Sequence, residues 1–198
     1  MILSDDYIEI ENFLPLEAQE KLIKHLTHPS FPWALSLDSV YGAEGKTIDA
    51  NAAIGFFHTA MFQGQQCSPE LEELIWVIKG LEEKIYHRFK IKHLQRVRVG
   101  LFTKHPDPTP HKPHVDATFP HWTCVYYVND CDGDLIVHNE TYPEVPQENA
   151  KTHQFTTKRI CKPAQGKLVT FDGKYYHSSS YPTQKPLRLA ITFNFTLV

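Results

Sequence analysis

The sequence predicts a single domain of mainly β-structure, residues 1–198, in which N-terminal helices pack against a C-terminal β-sandwich or β-barrel. The first observation is that residues 95–198 contain short runs of strand-forming side chains, separated by turn signals such as HPDPTP, NDCDGD and YPTQKP. The second is that residues 1–94 contain two segments whose apolar side chains recur at helical spacing. The third is that no repeat or linker divides the 198 residues, of which 41% are hydrophobic and 22% charged.

Two helices are predicted in the N-terminal region, which we expect to support the barrel. Pro15 occupies a first-turn position that proline favours, and the segment LEAQEKLIKHL after it carries an apolar stripe. Ser68 and Pro69 are a capping residue and a first-turn proline, and leucines and isoleucines follow at helical spacing. This pattern predicts one amphipathic helix over residues 69–89. Residues 30–66 mix glycine with aromatic side chains and fit either short strands or a lid.

Six strands are predicted in the C-terminal region. The stretch QRVRVGLF alternates in the way of a half-buried strand, and the others are rich in β-branched and aromatic residues. The predicted strands cover residues 95–102, 123–128, 134–138, 156–161, 167–171 and 187–197. Because short strands at this spacing form sandwiches or barrels, residues 95–198 are expected to form the β core.

Composition and charge argue against several classes of protein. The net charge of −3 and the pI of about 6.4 leave no basic excess, so a nucleic-acid partner is not expected. The four cysteines, Cys67, Cys124, Cys131 and Cys161, form no CxxC pair, which argues against a structural zinc site and a disulfide framework. The start of the chain does not resemble a signal peptide, and no run of about 18 apolar residues occurs. We therefore expect a cytoplasmic protein without membrane contact, and the oligomeric state is left open.

Three histidines and one carboxylate concentrate in the segment HKPHVDATFPHW. In an extended strand, residues i and i+2 share a face with Cα atoms roughly 6–7 Å apart, so His114 and Asp116 can reach one metal ion. A third ligand must come from another strand, and His177 in FDGKYYHSSSYP is the best candidate. Two imidazoles and one carboxylate on one face of a metal are typical of non-haem Fe(II) oxygenases. His111 and His121 are interpreted as solvated loop residues.

Further motifs follow this pair along the chain. They are TCVYYVN at 123–129, DGDL at 132–135, PAQGKL at 163–168, the isolated His177, and RLAIT at 188–192. Together with HVD at 114–116, they resemble the catalytic core of the Fe(II)/2-oxoglutarate-dependent dioxygenases over residues 98–195. The resemblance is nearest to the prolyl 4-hydroxylase-like branch. It implies a double-stranded β-helix, or jelly roll, for residues 95–198, with the N-terminal helices packed against it.

The resemblance also implies cofactors, a reaction and the residues that serve them. Fe(II) is expected at the His-Asp-His set, and the distal carboxylate of 2-oxoglutarate is expected at Arg188, Tyr127 and Thr192. The planar, permanently charged fork of arginine suits a carboxylate. Dioxygen is the second cosubstrate, and ascorbate is an accessory reductant that such a site can use. The implied reaction hydroxylates an unactivated C–H bond of a peptidyl side chain or a small amino-acid-like metabolite, with succinate and CO2 as co-products.

Four residues are candidates for the substrate side of the site. They are Arg98, Trp122, Asn139 and Asn194. The chain departs from the family pattern here, because Asp132-Gly133 replaces a double glycine and Asn194 stands where an aromatic residue is frequent. These departures leave the metal set unchanged but weaken the expectation of a prolyl substrate.

Two other function classes stay open at the level of sequence. A cupin-like barrel would bind a metal without oxygenase activity and would act as an isomerase or a small-molecule binder. Cupins usually present HxH as the first ligand pair, whereas this chain has HxD, and Arg188 has no role in such a barrel. A scaffold that binds a partner without turnover would need neither the metal set nor Arg188.

Overall fold

The computed structural model describes residues 2–38, 53–85 and 90–198, which form two antiparallel β-sheets and three short helices. The helices are α1 (Leu16–Leu26), α2 (Leu71–Leu74) and α3 (Trp76–Ile85). The strands are β1 (Ile2–Leu3), β2 (Tyr7–Ile10), β3 (Ala34–Ser36), β4 (Gly55–Phe62), β5 (Gln65–Gln66), β6 (Ile91–Thr103), β7 (Trp122–Tyr127), β8 (Leu135–Thr141), β9 (Thr157–Cys161), β10 (Leu168–Asp172), β11 (Tyr175–Ser179) and β12 (Leu187–Leu197).

The larger sheet has the strand order β1-β2-β10-β7-β12-β6-β4-β3, with β5 paired to β4. The smaller sheet has the order β11-β8-β9, and every pairing in both sheets is antiparallel. Strands that neighbour each other in a sheet are mostly distant in sequence, as jelly rolls require. The prediction of a mainly β protein with a jelly-roll core is confirmed.

The two faces of the larger sheet have different chemistry because side chains alternate along each strand. On β12, the odd-numbered residues 189–195 are buried hydrophobic side chains that share one core with leucines of α1, α2 and α3. The even-numbered residues 188–194 point to the opposite face. There they meet residues 96–102 of β6, also even-numbered, in antiparallel register. One face of the sheet therefore carries the helices, and the other is available for a site.

The N-terminal region contains more β-structure than its helical pattern predicted. The helix predicted after Pro15 is confirmed as α1. The helix predicted over 69–89 is divided into α2 and α3 at Ile75, and residues 86–89 lie outside the described residues. The interruption is brief, because the N–H of Ile75 still bonds the carbonyl of Leu71 and its carbonyl accepts from Lys79.

Five strands, β1 to β5, also lie in this region, and β2 pairs directly with β10 of the core. Residues 30–66 supply β3, β4 and β5, and residues 39–52 of the proposed lid lie outside the described residues. The division between a support region and a core at residue 94 stays a prediction, and β6 runs across that position. No helix within the described ranges has the length and apolar character needed to cross a membrane.

Candidate active site

His114, Asp116 and His177 converge on one side of a pocket in the barrel. The Nε2 atoms of both histidines lie 3.8 Å from the carboxylate of Asp116, with His114 nearest Oδ1 and His177 nearest Oδ2. The ligand atoms of the three residues all lie within 4.8 Å of one another. This spacing allows one metal ion to contact all three, since metal–ligand distances to nitrogen and oxygen are about 2 Å.

Backbone pairing brings these ligands together. The N–H of His114 bonds the carbonyl of His177 at 3.0 Å, and the reciprocal bond is 2.9 Å long. His177 lies within β11, although its sequence placed it just past a strand, while His114 forms an isolated bridge instead of the strand expected for HxD. The two imidazole rings consequently lie close together, with centroids 4.5 Å apart and planes tilted by 49°.

Hydrogen bonds orient both imidazoles for metal binding. Nδ1 of His114 lies 3.2 Å from the carbonyl of Lys112, and Nδ1 of His177 lies 3.4 Å from the carbonyl of Tyr175. A carbonyl only accepts, so each Nδ1 carries the proton and each Nε2 presents its lone pair toward Asp116. Metal-binding histidines commonly have this arrangement, in which the second nitrogen donates to a carbonyl or carboxylate.

The charges of the three groups also suit a divalent cation. Burial and the neighbouring His114 lower the pKa of His177 to about 3. Burial likewise lowers the pKa of His114, against the opposing effect of Asp116. Burial alone would raise the pKa of Asp116, but Arg96 and the two imidazoles hold it well below its usual range. Two neutral imidazoles and one carboxylate anion are the protonation states that metal binding requires.

Three side chains bond the carboxylate of Asp116, which is 6% exposed. Arg96 donates from Nη2 to Oδ1 at 2.7 Å, and Asn194 donates from Nδ2 to Oδ2 at 2.8 Å. The hydroxyl of Thr123 donates to the same Oδ2 at 3.2 Å and accepts from Asn194 at 3.1 Å. These bonds fix the plane of the carboxylate.

Arg96 was not predicted as a partner of Asp116, because nothing in the local sequence pairs two residues that are 20 positions apart.

The pocket floor is a grid of side chains from three strands. Arg188, Ala190, Thr192 and Asn194 project from β12, and the register places Phe102, Gly100, Arg98 and Arg96 of β6 opposite them in that order. On the other side of β12, Tyr127 of β7 lies opposite Ala190, Val125 opposite Thr192, and Thr123 opposite Asn194. The grid therefore runs from Arg188 at one end to the Asp116 partners at the other. Most of these residues line the pocket.

Arg188 lies at the end of the pocket remote from the metal ligands, and it is 6% exposed. Its Nε donates to the carbonyl of Gly133 at 3.1 Å, and its guanidinium carbon lies 5.5 Å from the ring centroid of Tyr127. The hydroxyl of Tyr127 is buried and has no hydrogen-bond partner among the described residues. Thr192 lines the same pocket from β12. The three residues predicted for 2-oxoglutarate thus lie together on two adjacent strands.

Gly133 is required by the packing around Arg188. A Cβ atom at this position would lie 2.5 Å from the carbonyl oxygen of Ser180 and 2.9 Å from Cδ of Arg188. The chain has Asp132-Gly133 where the family pattern has two glycines, and the glycine that it retains is the one without room for a side chain. The carboxylate of Asp132 accepts hydrogen bonds from the backbone N–H groups of residues 183–185, which fixes the loop between β11 and β12.

His111 is a pocket residue, in contrast to the solvated loop position expected for it. It is 7% exposed, its N–H bonds the carbonyl of Ser179 at 2.6 Å, and its Nδ1 lies 3.3 Å from the Ser179 hydroxyl. Its Nε2 has no partner among the described residues. Burial, followed by the charge of Arg188, lowers its pKa to about 3. The expectation for His121 is also wrong, because its ring is buried against Gly173.

The four candidate substrate residues have different locations. Arg98 lines the pocket. Asn194 is buried and bonds Asp116, so its position is that of a support for a metal ligand. Trp122 packs against the core on the helix side of the sheet. Asn139 is exposed and donates to the Thr156 hydroxyl at 3.0 Å, away from the residues that line the pocket.

Comparison with solved structures supports the fold. No family model matches the chain, and no curated protein matches it by sequence. Among solved structures, it is similar to a prolyl hydroxylase from Trichoplax adhaerens in complex with a hypoxia inducible factor peptide, with a TM-score of 0.63 and 15% identity over 97% of this chain and 84% of that one. A 2OG-Fe(II) oxygenase family oxidoreductase from Burkholderia pseudomallei gives 0.63 and 10% identity over 96% and 85%.

The similarity extends to enzymes that are named for reactions other than hydroxylation. The non-heme alpha ketoglutarate dependent epimerase SnoN, from nogalamycin biosynthesis, gives a TM-score of 0.62 and 14% identity over 97% of this chain and 78% of that one. These identities are low, so the similarity concerns the fold. The chain has the jelly-roll fold that these 2-oxoglutarate-dependent Fe(II) oxygenases share, and its His-Asp-His set lies inside that fold.

Proposed function

We propose that the protein is an Fe(II)- and 2-oxoglutarate-dependent oxygenase that hydroxylates a C–H bond of a peptidyl side chain or a small amino-acid-like metabolite. One observation carries the proposal: a single pocket is lined by a His-Asp-His set and by a buried arginine at its far end. The shared fold with 2-oxoglutarate-dependent oxygenases supports it.

The metal-binding residues fit Fe(II). His114, Asp116 and His177 present two neutral nitrogens and one anionic oxygen toward a common point. A metal ion held by these three residues would keep positions open for a cosubstrate and dioxygen, as this ligand set does in non-haem Fe(II) oxygenases. Arg96 and Asn194 would hold the carboxylate in place while the metal binds it.

The other end of the pocket fits the distal carboxylate of 2-oxoglutarate. Arg188 supplies a buried positive charge, and the orphaned hydroxyl of Tyr127 supplies a donor with no protein partner among the described residues. Burial raises the pKa of Tyr127 well above its usual value, which keeps this hydroxyl protonated. Thr192 lines the same pocket, and its hydroxyl would be the third hydrogen-bond donor of this cradle after Arg188 and Tyr127. Such a cradle has no role in a cupin-like barrel that only binds a metal.

The residues of the chain contribute binding, orientation and exclusion of water. Fe(II), 2-oxoglutarate and dioxygen would supply the oxidising chemistry, in which the cosubstrate becomes succinate and CO2 and one oxygen atom enters the substrate. Val125, Leu135 and Ala190 give the pocket apolar walls between its two polar ends. Apolar walls of this kind strengthen the pairing of Arg188 with an anion and limit side reactions with water.

The test is the visible metal-to-ligand charge-transfer absorption that Fe(II) and 2-oxoglutarate give together. Under anaerobic conditions, we expect this band in the wild type and its loss in Asp116→Ala and His177→Ala. In the Arg188→Met variant, the 2-oxoglutarate concentration needed to form the band should rise about tenfold or more, because a charged hydrogen-bonding partner is lost. Arg159→Met is the matched control, since that guanidinium lies over the Tyr7 ring and does not line the pocket.

A wild-type protein without the band would contradict the proposal. Product analysis is part of the test, because the structurally similar proteins include an epimerase and a carbocyclase. Oxygen incorporation from labelled dioxygen into the substrate is the result expected for hydroxylation.

A further inference from the structure

One buried imidazole in the pocket belongs neither to the metal set nor to the proposed 2-oxoglutarate cradle. His111 lines the pocket, and its Nε2 has no hydrogen-bond partner among the described residues. Of the described side chains that line the pocket, only Arg96 has another such buried atom, its Nε, and Arg96 already bonds Asp116 through Nη2. Because a buried polar atom without a partner is unfavourable, the Nε2 of His111 is a point where a bound molecule can form a hydrogen bond.

Backbone pairing places His111 on the wall that continues from the metal ligands. His114 pairs with His177 of β11 through two backbone hydrogen bonds, and the N–H of His111 bonds the carbonyl of Ser179, two residues further along β11. Residues i and i+2 of a strand share a face, so Ser179 follows His177 along the pocket, which both residues line. His111 is therefore the next side chain along this wall after the metal set.

Ring contacts place the imidazole at the Arg188 end of the pocket. Phe102 of β6 lies opposite Arg188 in the register with β12, and the centroid of the His111 ring is 4.8 Å from that of Phe102. On another side, the ring meets Tyr181 edge to face at 4.6 Å. Arg188 is also the charged residue that affects the pKa of His111 most. His111 thus lies where a molecule that extends from the metal ligands to Arg188 would pass.

The imidazole is neutral near pH 7 and can donate from Nε2. Burial and the charge of Arg188 lower its pKa to about 3. Its Nδ1 lies 3.3 Å from the Ser179 hydroxyl, a group that can donate as well as accept. When this hydroxyl donates to Nδ1, the single ring proton is on Nε2. An anionic ligand favours that tautomer, because it accepts a hydrogen bond from the Nε2–H group.

We propose that His111 is a further binding residue for 2-oxoglutarate and donates a hydrogen bond from Nε2 to the distal carboxylate, beside Arg188. The inference rests on the proposed oxygenase function and adds a residue to its cosubstrate site. Arg188 and Tyr127 would approach this carboxylate from β12 and β7 of the larger sheet, whereas His111 belongs to a segment that pairs with β11 of the smaller sheet. Donors from both sheets would hold the carboxylate between them.

The test titrates 2-oxoglutarate into the anaerobic Fe(II) protein and follows the charge-transfer band. His111→Phe keeps an aromatic ring against Phe102 and Tyr181 but removes the donor. The 2-oxoglutarate concentration that gives half of the band should rise about tenfold or more, because a hydrogen bond to a charged group is lost. His111→Gln should recover part of this loss, because its amide can donate. His111→Met is a second variant without a donor, and melting curves show that each variant is folded.

His138→Phe is the matched control. The imidazole of His138 is as buried as that of His111 and lies 3.1 Å from a serine hydroxyl, but it does not line the pocket. Its replacement should leave the 2-oxoglutarate requirement unchanged. Calorimetric titration with Mn(II) should give the wild-type metal affinity in His111→Phe, because the three metal ligands are intact.

A double variant tests the assignment to the distal carboxylate. If His111 and Arg188 hold the same group, the loss of 2-oxoglutarate affinity in His111→Phe combined with Arg188→Met should be smaller than the product of the two single losses. Losses that multiply in full would separate His111 from the distal carboxylate and overturn the inference.

Two other results would also overturn it. One is a 2-oxoglutarate requirement in folded His111→Phe or His111→Met that matches the wild type. The other is weakened Mn(II) binding in those variants, which would make His111 a support of the metal ligands. Failure of the oxygenase proposal is distinct, since the wild type would then show no band at all.

Discussion

At the scale of single residues, the carboxylate of Asp116 is held between two imidazoles and three hydrogen-bond donors. Each of its oxygens lies near one imidazole and accepts a hydrogen bond from a side chain that is not expected to bind the metal. A buried carboxylate is costly unless it is paired and hydrogen-bonded. Arg96 and Asn194 therefore offset that cost before any metal binds, and they also aim the carboxylate.

Removal of the Asn194 amide tests this support. Asn194→Ala should weaken metal binding about 10- to 100-fold, as is typical for groups that orient metal ligands. Titration with Mn(II) under calorimetry measures the effect directly. Asn139→Ala is the control, because that amide is exposed and bonds Thr156. Equal metal affinity in Asn194→Ala and the wild type would contradict a supporting role.

Two adjacent tyrosines provide a matched pair of variants that tests the proposed 2-oxoglutarate site. Both hydroxyls are buried without partners among the described residues, but Tyr127 faces the pocket side and Tyr126 lies in the core on the helix side. Tyr127→Phe should raise the 2-oxoglutarate requirement about 10- to 150-fold, since a hydrogen bond to a charged group contributes roughly 1.5–3 kcal/mol.

Tyr126→Phe should leave the 2-oxoglutarate requirement unchanged. The two variants are compared by titrating 2-oxoglutarate into the anaerobic Fe(II) protein. A similar effect in both variants would mean that the Tyr127 hydroxyl does not meet the cosubstrate.

At the scale of elements, the turn between β7 and β8 positions Arg188 on β12. Gly133→Ala would place a methyl group against the Ser180 carbonyl and Cδ of Arg188, so the turn and the arginine must separate. We expect a raised 2-oxoglutarate requirement with little change in metal affinity, because the metal ligands lie at the other end of the pocket. Both quantities follow from the same spectroscopic titration. An unchanged 2-oxoglutarate requirement would show that the loop absorbs the methyl group.

Element by element, the sequence predicted what alternation or helical spacing encodes. The strands β6, β7, β10 and β12 and the helix α1 follow their patterns closely. The strand β2 carries no such signal, because three of its four residues are buried and both faces are covered. The strand β11, YYHSS, is polar, so its sequence does not predict a strand, and His177 was expected beyond a strand instead of within one. Non-local pairing with β10 and β8 creates both strands.

The candidate site divides in the same way. Its ordered motifs allowed the metal set and the residues for 2-oxoglutarate to be proposed, and the fold brings each group together. The contact of Arg96 with Asp116 and the burial of His111 depend on register between distant strands and loops, which local sequence does not encode. The exposed position of Asn139 follows from the same cause.

At the scale of the whole molecule, burial of neutral histidines links stability to pH. The pKa of His111 is about 3 in the folded protein, below the value near 6.5 of an unfolded histidine. Between these values the unfolded chain binds a proton that the folded chain does not, so the free energy of unfolding falls as pH decreases below about 6.5. The stabilisation is fully present above that pH.

The metal-free protein should therefore lose stability between pH 6.5 and 4.5, and His111→Gln should lose about 1 kcal/mol less per pH unit. Urea unfolding at several pH values measures the slope. His153→Gln is the control, because that ring is exposed and should leave the slope unchanged. Identical slopes in His111→Gln and the wild type would mean that His111 is protonated in the folded state.

The alternation of β12 has a consequence for how this protein can change. Its odd-numbered residues from 189 to 195 belong to the hydrophobic core. Of its even-numbered residues, Arg188, Ala190 and Thr192 line the pocket, and Asn194 bonds Asp116. A shift of the whole strand by one residue against β6 and β7 would exchange the two sets, moving phenylalanine into the pocket and an arginine against the helices. Substitutions at single positions preserve this alternation, whereas insertions or deletions within the strand disturb it. New specificities should therefore arise by point changes here and by insertions only in the loops.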